Sequence, residues 1–301
     1  MNVDLQKLTL LARGGEADIY AVGEDRVLRV SRKVCAPAVL AAEQALYRML
    51  ESQNLPIPKV YERGEVAGMQ AEIQERIPGG SLLDHWLAHP LCVKEQLPQF
   101  ARLHARICSL RVDDGLLPSL EDKIAYLRTQ PLQVEPEVFA FAMRRAQALP
   151  SGDALCHGDF HPGNILQKGE KFYIIDWSGA YRGNPVSDIA HTLLLMEHAP
   201  RTPGQSEAEH ERLVHLAKQI AVGYLQEMRV QMPLDEEELE GWRIVLSLCR
   251  LYWGLPSEKD ERRRYLRQAY LAAQDRQGEQ NPARQGIQPN GFGVSREEGE
   301  Q

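Results

Sequence analysis

The sequence predicts an α+β protein of two lobes, an N-terminal five-stranded antiparallel sheet with one helix and a C-terminal, mainly helical lobe. Five short runs of strand-forming residues and a single helical segment fall within residues 1–75. Apolar residues at helical spacing then dominate residues 81–275, and residues 76–80 form a connector rich in proline and glycine. Residues 276–301 are polar and are predicted to be a disordered tail.

Composition excludes several classes of protein. A hydrophobic content of 43% allows a sizeable core, and a net charge of −7 argues against nucleic acid as a partner. The five cysteines contain no C-x-x-C pair, so we expect reduced, small apolar side chains. No signal peptide and no apolar run long enough to cross a membrane is seen. We therefore expect a soluble cytoplasmic protein without a membrane partner, whose oligomeric state the sequence does not reveal.

One stretch carries most of the chemical information. Residues 155–166 read L-C-H-G-D-F-H-P-G-N-I-L, and a further strand-like run ends on Asp176. The pattern predicts strand, loop, strand, turn and strand, so that Asp159, Asn164 and Asp176 gather at one end of a small sheet. Carboxylate and amide oxygens suit a hard cation. H-x-D-x-x-x-x-N followed by a strand-terminal Asp is the arrangement that kinase chemistry needs, with a base near the hydroxyl and two ligands for Mg²⁺.

The first lobe begins with three strand-forming runs, Lys7–Leu11, Asp18–Val22 and Arg26–Val30. The first hairpin carries Gly14 and Gly15, which either only make the turn or form a lid whose N–H groups approach phosphate oxygens. In the second case Arg29, on the third strand, faces those phosphates.

A helix is predicted over Pro37–Ser52, followed by two more strands at Val60–Glu62 and Ala71–Gln74. Glu43 lies within this helix and either pairs with Arg29 or is an ordinary solvated acid. Periodicity alone leaves both readings open.

The second lobe is predicted to contain eight helices. They run from Ser81 to about His89, over Lys94–Leu110, after a cap at Ser119, and over Pro136–Leu149, Val186–Glu197, Ser206–Met228, Leu234–Tyr252 and Ser257–Gln274. His104 lies beside the apolar stripe of the second of these helices, and we interpret it as structural, packing under the motif loop.

With these motifs in order, the sequence resembles the aminoglycoside phosphotransferase family over roughly residues 8–255. These are small-molecule kinases related to the protein kinases. The most specific matches are 157–164, 175–177 and 183–188, and weaker ones are the two hairpin glycines, 75–82 and 103–104. The resemblance implies a bilobal, protein-kinase-like fold and transfer of the γ-phosphate of ATP to a hydroxyl of a small molecule.

The resemblance also implies roles for individual residues. Asp159 would accept or orient the proton of the attacking hydroxyl, and Asn164 and Asp176 would hold Mg²⁺ between the ATP phosphates. His157 would fix the loop, and Asp188 would brace it.

On the nucleotide side, the resemblance implies that Gly14, Gly15, Arg29 and Glu43 serve the phosphates. Backbone groups around Gln74, Glu75 and Ile77 would bind adenine. Arg29 stands where the family usually has lysine, and the two side chains are not equivalent. Lys33, four residues later, is a possible substitute.

The same residues are compatible with four other functions to different degrees. His157, Asp159 and His161 could ligate zinc, although the oxygen ligands nearby favour Mg²⁺. A serine hydrolase lacks its G-x-S-x-G elbow here, and a protein kinase lacks Phe-Gly after Asp176 and a later Ala-Pro-Glu. The main rival, motivated by Arg29, is a catalytically weak or inactive kinase-like module that binds nucleotide.

The acceptor is left open among aminoglycosides, sugars, amino alcohols and similar hydroxyl compounds. An aminoglycoside would favour an acidic pocket, and Glu207, Glu209 and Glu211 either contribute to one or form a solvated helix face. The choice between ATP and GTP is equally open.

Overall fold

A computed structural model describes residues 1, 3–34, 36–199 and 204–279. The N-terminal part is a five-stranded antiparallel sheet in the order β1-β2-β3-β5-β4, as predicted. Its strands are β1 Leu10–Arg13, β2 Ala17–Val22, β3 Arg26–Ser31, β4 Val60–Val66 and β5 Met69–Glu75.

The first strand begins later than the sequence pattern indicates. Residues Leu5–Lys7 form a 3-10 turn, because the Asp4 side chain accepts a hydrogen bond from the N–H of Gln6. The prediction of a strand from Lys7 is therefore wrong for its first three residues. Strands β4 and β5 are longer than predicted and meet at a tight turn, in which Ala67 and Gly68 both have positive φ.

Helix α1, Pro37–Ser52, has the predicted bounds and connects β3 to β4. Proline has no N–H group, and the first turn of a helix does not use its N–H groups within the helix, so Pro37 suits this position. Leu46 and Leu50 are buried in the main core. This packing holds α1 against the second lobe, and Glu43 of the same helix lies 3.9 Å from Arg29 on β3.

The connector between the lobes, residues 76–80, packs against the strand that directly follows the motif loop. The N–H of Gln167 donates to the carbonyl of Gly80 at 3.1 Å. A Cβ on Gly79 would lie 1.6 Å from the Gln167 carbonyl oxygen, so only glycine permits this approach. Gly80 has φ +74°, a left-handed conformation that also favours glycine. The relation of the two lobes is thus fixed partly by backbone contacts at this point.

The C-terminal part is mainly helical, as predicted. Its helices are α2 Leu82–Ala88, α3 Val93–Cys108, α4 Leu120–Tyr126, α5 Pro136–Ala148, α6 Pro185–Glu197, α7 Glu207–Gln231, α8 Glu236–Trp253 and α9 Lys259–Glu279. Helix α6 packs between α7 and α8 and is buried along most of its length. None of the helices in the described ranges combines the length and apolar character that crossing a membrane requires.

Helix α9 continues to Glu279, so the first four residues of the predicted tail, 276–279, are helical. The rest of that predicted tail, residues 280–301, lies outside the described residues.

The motif segment forms two small sheets, so the prediction of a single one is wrong. Strands β7 Ile165–Lys168 and β8 Lys171–Ile174 form a hairpin. Strand β6, Ala154–Cys156, pairs instead with β9, Tyr181–Gly183. The loop after β6 turns the chain away from the hairpin, and β9 is too short to show an alternating pattern in the sequence.

Candidate active site

Asp188, at the start of α6, holds the loop that follows β6. Its Oδ2 accepts the N–H of His157 at 2.6 Å, and its Oδ1 accepts the N–H of Gly158 at 2.9 Å. The Nε2 of His104 lies 3.0 Å from Oδ2. Burial alone would raise the pKa of Asp188, but His104 and the loop donors outweigh it and lower the pKa. An ionised, fully buried carboxylate thus fixes the start of the loop.

His104 is part of this support, in the position that the sequence suggests. The hydroxyl of Tyr224 lies 2.6 Å from its Nδ1, and its ring stacks on Phe160 at 4.1 Å between centroids. Cys108 lies beside His104 and Asp188 in an arrangement that resembles a metal site. Burial raises the pKa of the Cys108 thiol, and both Asp188 oxygens already have donors. The cluster is therefore a structural brace rather than a metal site.

His157 uses both ring nitrogens inside the protein. Its Nδ1 accepts the N–H of Asp159 at 3.2 Å, and its Nε2 lies 3.1 Å from the carbonyl oxygen of Ile175. These partners require the neutral tautomer with the proton on Nε2. Burial also lowers the pKa of His157. The side chain therefore links the loop to the end of β8 and has no lone pair left for a substrate proton or a zinc ion.

Asp159 and Asn164 face each other across the loop. The Nδ2 of Asn164 donates to the backbone carbonyl of Asp159 at 2.9 Å and to its Oδ2 at 2.7 Å. An amide group has its oxygen opposite its NH₂, so the Asn164 Oδ1 points away from Asp159 and is suited to a cation. The loop therefore presents a carboxylate and an amide oxygen side by side.

His161 lies beside Asp159 and lowers the pKa of its carboxyl group. Its Nδ1 accepts the N–H of Gly163, and its Nε2 lies 3.7 Å from the Asp159 Oδ2. Burial tends to raise the pKa of Asp159, but His161 holds that pKa well below its usual range. The carboxylate is consequently ionised at neutral pH. The zinc reading fails here too, because the backbone already occupies Nδ1 of both loop histidines.

Asp176 lies next to this loop, directly after β8. The N–H of Ile175 donates to the carbonyl of Asn164 at 3.0 Å, which places Asp176 beside it. Asp176 has φ +60°, a left-handed conformation that costs about 1–2 kcal/mol for a residue with a side chain. Ser178 Oγ donates to its Oδ1 at 2.7 Å.

The loops around Asp159 and Asp176 are packed backbone to backbone. A Cβ on Gly158 would meet the Gly179 carbonyl oxygen at 2.2 Å, and Gly158 has φ +73°. Both the close approach and the dihedral angle require glycine here. The two acids are thus held by one rigid unit.

On the first lobe, Arg29 and Glu43 form a loose pair. Arg29 Nη1 lies 3.9 Å from Glu43 Oε1, and the side chains are 25% and 34% exposed. Burial raises the pKa of Glu43, and the charge of Arg29 offsets this only in part. The structure brings together the two residues that the sequence left as a possible pair. Their distance leaves the guanidinium donors available for a further anion.

Arg29 and Glu43 line a cavity of about 460 Å³. The cavity lies between α1 and the segment 177–180, and Lys123 on α4 also lines it. Neither Asp159 nor Asn164 is among its lining residues. This cavity therefore contains Arg29 and Glu43 and adjoins, without including, the loop that carries Asp159 and Asn164.

The remaining predicted nucleotide contacts lie along the edge of the first lobe. Gly14 and Gly15 form the β1–β2 turn, where the N–H of Gly14 already donates to the carbonyl of Ala17. Gln74 pairs with β3 and β4, and Ile77 is buried in the connector. The N–H of Glu75 donates to Lys59, and its carboxylate accepts from Lys168 of the second lobe at 3.2 Å. Glu75 is thus a contact between lobes.

His191 lies one helical turn after Asp188 and has no role in the prediction from the motifs. Its Nε2 is 2.9 Å from Arg250 Nη1, and Arg250 makes two hydrogen bonds to the buried Glu258. Burial and the charge of Arg250 lower the pKa of His191 to about 4, so the ring is neutral at physiological pH. The spacing of His191 from Asp188 was visible in the sequence, but the partner on α8 was not.

Comparisons with known proteins identify the family and the fold. The family model described as "Phosphotransferase enzyme family" matches residues 7–204. No curated protein sequence matches the chain.

Among solved structures, a thermostable mutant of aminoglycoside phosphotransferase APH(4)-Ia is 20% identical with a TM-score of 0.59, over 90% of this chain and 94% of that one. Amicoumacin kinase hAmiN in complex with AMP-PNP, Ca²⁺ and Ami is 16% identical with a TM-score of 0.59, over 89% and 88%. The streptomycin–ATP–APH(2")-IIa ternary complex is 18% identical with a TM-score of 0.58, over 87% and 91%. At these identities the structures show a common fold. The chain belongs to the phosphotransferase enzyme family and has the kinase-like fold of the aminoglycoside phosphotransferases.

Proposed function

We propose that this protein transfers the γ-phosphate of ATP, with Mg²⁺, to a hydroxyl group of a small molecule. The observation that carries the proposal is the pairing of an ionised Asp159 with Asn164, directly beside Asp176. Phosphoryl transfer asks a protein mainly for positioning and for charge stabilisation. These three side chains supply an acceptor for the hydroxyl proton and oxygen ligands for a cation.

In the proposed reaction the acceptor oxygen attacks the γ-phosphorus while the bond from phosphorus to the β–γ bridging oxygen breaks. Asp159 takes the hydroxyl proton as the new P–O bond forms, and ADP leaves with the bonding electrons. The hydrogen bond from Asn164 holds the Asp159 carboxylate in one orientation. His157 and Asp188 act through the loop backbone, as positioning residues.

The donor set fits a magnesium ion. Asn164 directs its NH₂ group to Asp159, so its oxygen is available as a ligand, and the left-handed backbone of Asp176 presents a carboxylate beside it. When bound, Mg²⁺ would neutralise phosphate charge and fix the phosphate orientation. The first lobe would contribute Arg29, oriented by Glu43, to the phosphates, and the backbone near Gln74 and Ile77 to adenine.

Two solved relatives support a nucleotide in this fold, since they were determined with AMP-PNP and with ATP. The antibiotics in those structures belong to those proteins, and the acceptor class here is a hydroxyl compound such as an aminoglycoside, a sugar or an amino alcohol. A specific observation also favours a second candidate, a weak or inactive nucleotide-binding module. Arg29 occupies the position that lysine usually fills, and it lies 3.9 Å from Glu43, beyond hydrogen-bonding distance.

A library of hydroxyl acceptors separates the two candidates. We expect ADP release in the presence of Mg²⁺ to rise with at least one acceptor class and to stop when EDTA removes the metal. The inactive-module reading predicts thermal stabilisation by ATP, with or without metal, and no acceptor-dependent ADP release. That second result across the whole library would contradict the proposed transfer.

Replacing Arg29 with alanine is expected to raise the KM for ATP by about tenfold or more, since a charge-assisted contact to phosphate is worth about 1.5–3 kcal/mol. The KM for the acceptor should change little. Steady-state kinetics with each substrate varied in turn measures this difference. Lys33→Ala is the matched control on the same side of the lobe. An effect in that variant alone would assign the phosphate contact to Lys33.

A further inference from the structure

Three aromatic side chains form an exposed cluster at the ends of α4 and α8. Tyr126, Tyr252 and Trp253, here called the aromatic shelf, are 49%, 37% and 50% exposed. Tyr126 and Trp253 stack at 6.2 Å, and Tyr252 meets both rings edge to face. Only one other aromatic side chain in the described part of the chain, Tyr61, is comparably exposed. Three rings together in solvent are unusual unless they bind something.

The shelf adjoins the candidate active site on the α4 side. Lys123, one helical turn before Tyr126, donates to the Gly179 carbonyl at 2.9 Å, and Gly179 packs against Gly158. Gly158 directly precedes Asp159. The shelf therefore begins about one helical turn from Lys123, which is hydrogen-bonded to the segment that packs against the loop of Asp159.

A second path leads to the same place through α8. Arg250 lies two residues before Tyr252 and hydrogen-bonds His191, which lies one helical turn after Asp188, the residue that holds the loop. Both helices that carry the shelf are thus tied to the loop of Asp159.

The charges on this side of the loop are compensated. Arg250 is neutralised by two hydrogen bonds to Glu258, and His191 is uncharged at physiological pH. The side-chain hydrogen bond and the ring contacts of the shelf in the described structure connect its members only to one another. No carboxylate takes part in them. A polycationic acceptor would lack counter-charges there.

The acid cluster noted in the sequence does not supply them. Glu209 accepts hydrogen bonds from the backbone N–H and the hydroxyl of Ser206, at 2.8 and 2.6 Å, and so caps the start of α7. This capping role favours the interpretation that the acids at the start of α7 form a solvated helix face.

We propose that the aromatic shelf binds the phosphate acceptor and that this acceptor is a neutral, ring-bearing polyol, such as a sugar or a glycoside. The inference rests on the proposed function and narrows its substrate class. Flat aromatic faces receive the C–H face of a saturated ring, while the Tyr126 and Tyr252 hydroxyls, 3.2 Å apart, can exchange hydrogen bonds with ring hydroxyls.

Tryptophan fluorescence tests binding without requiring catalysis. Of the four tryptophans, Trp86, Trp177 and Trp242 are buried, so quenching by iodide reports mainly on Trp253. We expect millimolar methyl glucoside or phenyl glucoside, added to the full-length protein without ATP, to protect this fluorescence from iodide by about twofold or more. Choline and kanamycin at equal concentration should protect less. Trp253→Phe should lose the quenchable fraction.

Kinetics provide the second readout. Trp253→Phe and Tyr252→Leu, both conservative in size, should raise the KM for the acceptor by about fivefold or more and leave the KM for ATP unchanged. Val230→Ala, an exposed apolar change on α7, is the control and should alter neither.

Protection by choline or kanamycin but not by the glucosides would overturn the inference, as would the absence of protection by any of them. Normal acceptor KM values in both shelf variants would also overturn it, while leaving the transferase function intact. Conversely, protection by glucosides without phosphorylation of any acceptor would contradict the proposed transfer and support the binding surface.

Discussion

Replacing Asp159 with asparagine is expected to lower kcat for phosphoryl transfer by about 10²–10⁴-fold, the usual contribution of a positioned base. Asparagine has nearly the same shape but cannot take the hydroxyl proton. The KM for ATP should stay within about twofold, because Asp159 faces the acceptor in the proposed geometry. Single-turnover assays with a saturating acceptor measure the chemical step directly.

His161→Gln is the matched control for this change. It removes the neighbour that lowers the pKa of Asp159 and leaves the carboxylate in place. Burial then raises the pKa of Asp159, but the hydrogen bond from Asn164 to its carboxylate remains, so we expect activity at neutral pH within about tenfold of the wild type. In the wild type that pKa lies well below its usual range, so Asp159 should produce no loss of activity between about pH 5 and 8. Full activity of Asp159→Asn would refute the assignment of the base.

Replacing Asp188 with alanine is expected to destabilise the fold by about 3–5 kcal/mol, because it leaves buried partners without their charge. The N–H groups of His157 and Gly158 and the ring of His104 would all lose an acceptor. Urea unfolding of the variant measures the change. Asp260→Ala removes an exposed acid in an ion pair and should cost less than about 1 kcal/mol. Similar losses in the two variants would show that Asp188 is not a brace.

The same brace predicts a direction for the pH dependence. The pKa of Asp188 is lower in the folded protein than in the unfolded chain. Its contribution to stability is therefore fully present above the unfolded value near pH 4 and is lost as the pH falls through the folded value. Compared with the wild type, Asp188→Asn should be less stable at pH 7, and the difference should narrow below pH 4.

Local patterns were sufficient for much of the fold. Helix α1 has the bounds that its proline and its apolar spacing predict, and the five-stranded sheet follows from short runs separated by turn residues. The core of the site could be predicted for the same reason. Asp159 and Asn164 are five residues apart in one loop, so their proximity depends on a single local structure.

Contacts between distant segments were not predictable in this way. His104 meets Tyr224 across 120 residues, and Tyr126 meets Tyr252 across 126. The pairing of β6 with β9 depends on where the loop between them turns the chain. Each depends on how helices pack after they have formed, and helix packing leaves no fixed spacing in the sequence. The aromatic shelf proposed to bind the acceptor is built from such contacts, so the motif alone could not identify an acceptor.

The central claim is that a hydroxyl compound becomes phosphorylated through Asp159. Phosphorus NMR of reactions with the acceptors that release ADP tests it most directly. We expect a phosphomonoester of the acceptor, formed in equal amount with ADP, and almost none with Asp159→Asn. Inorganic phosphate as the only product beside ADP, or the same ester from both proteins, would contradict the account.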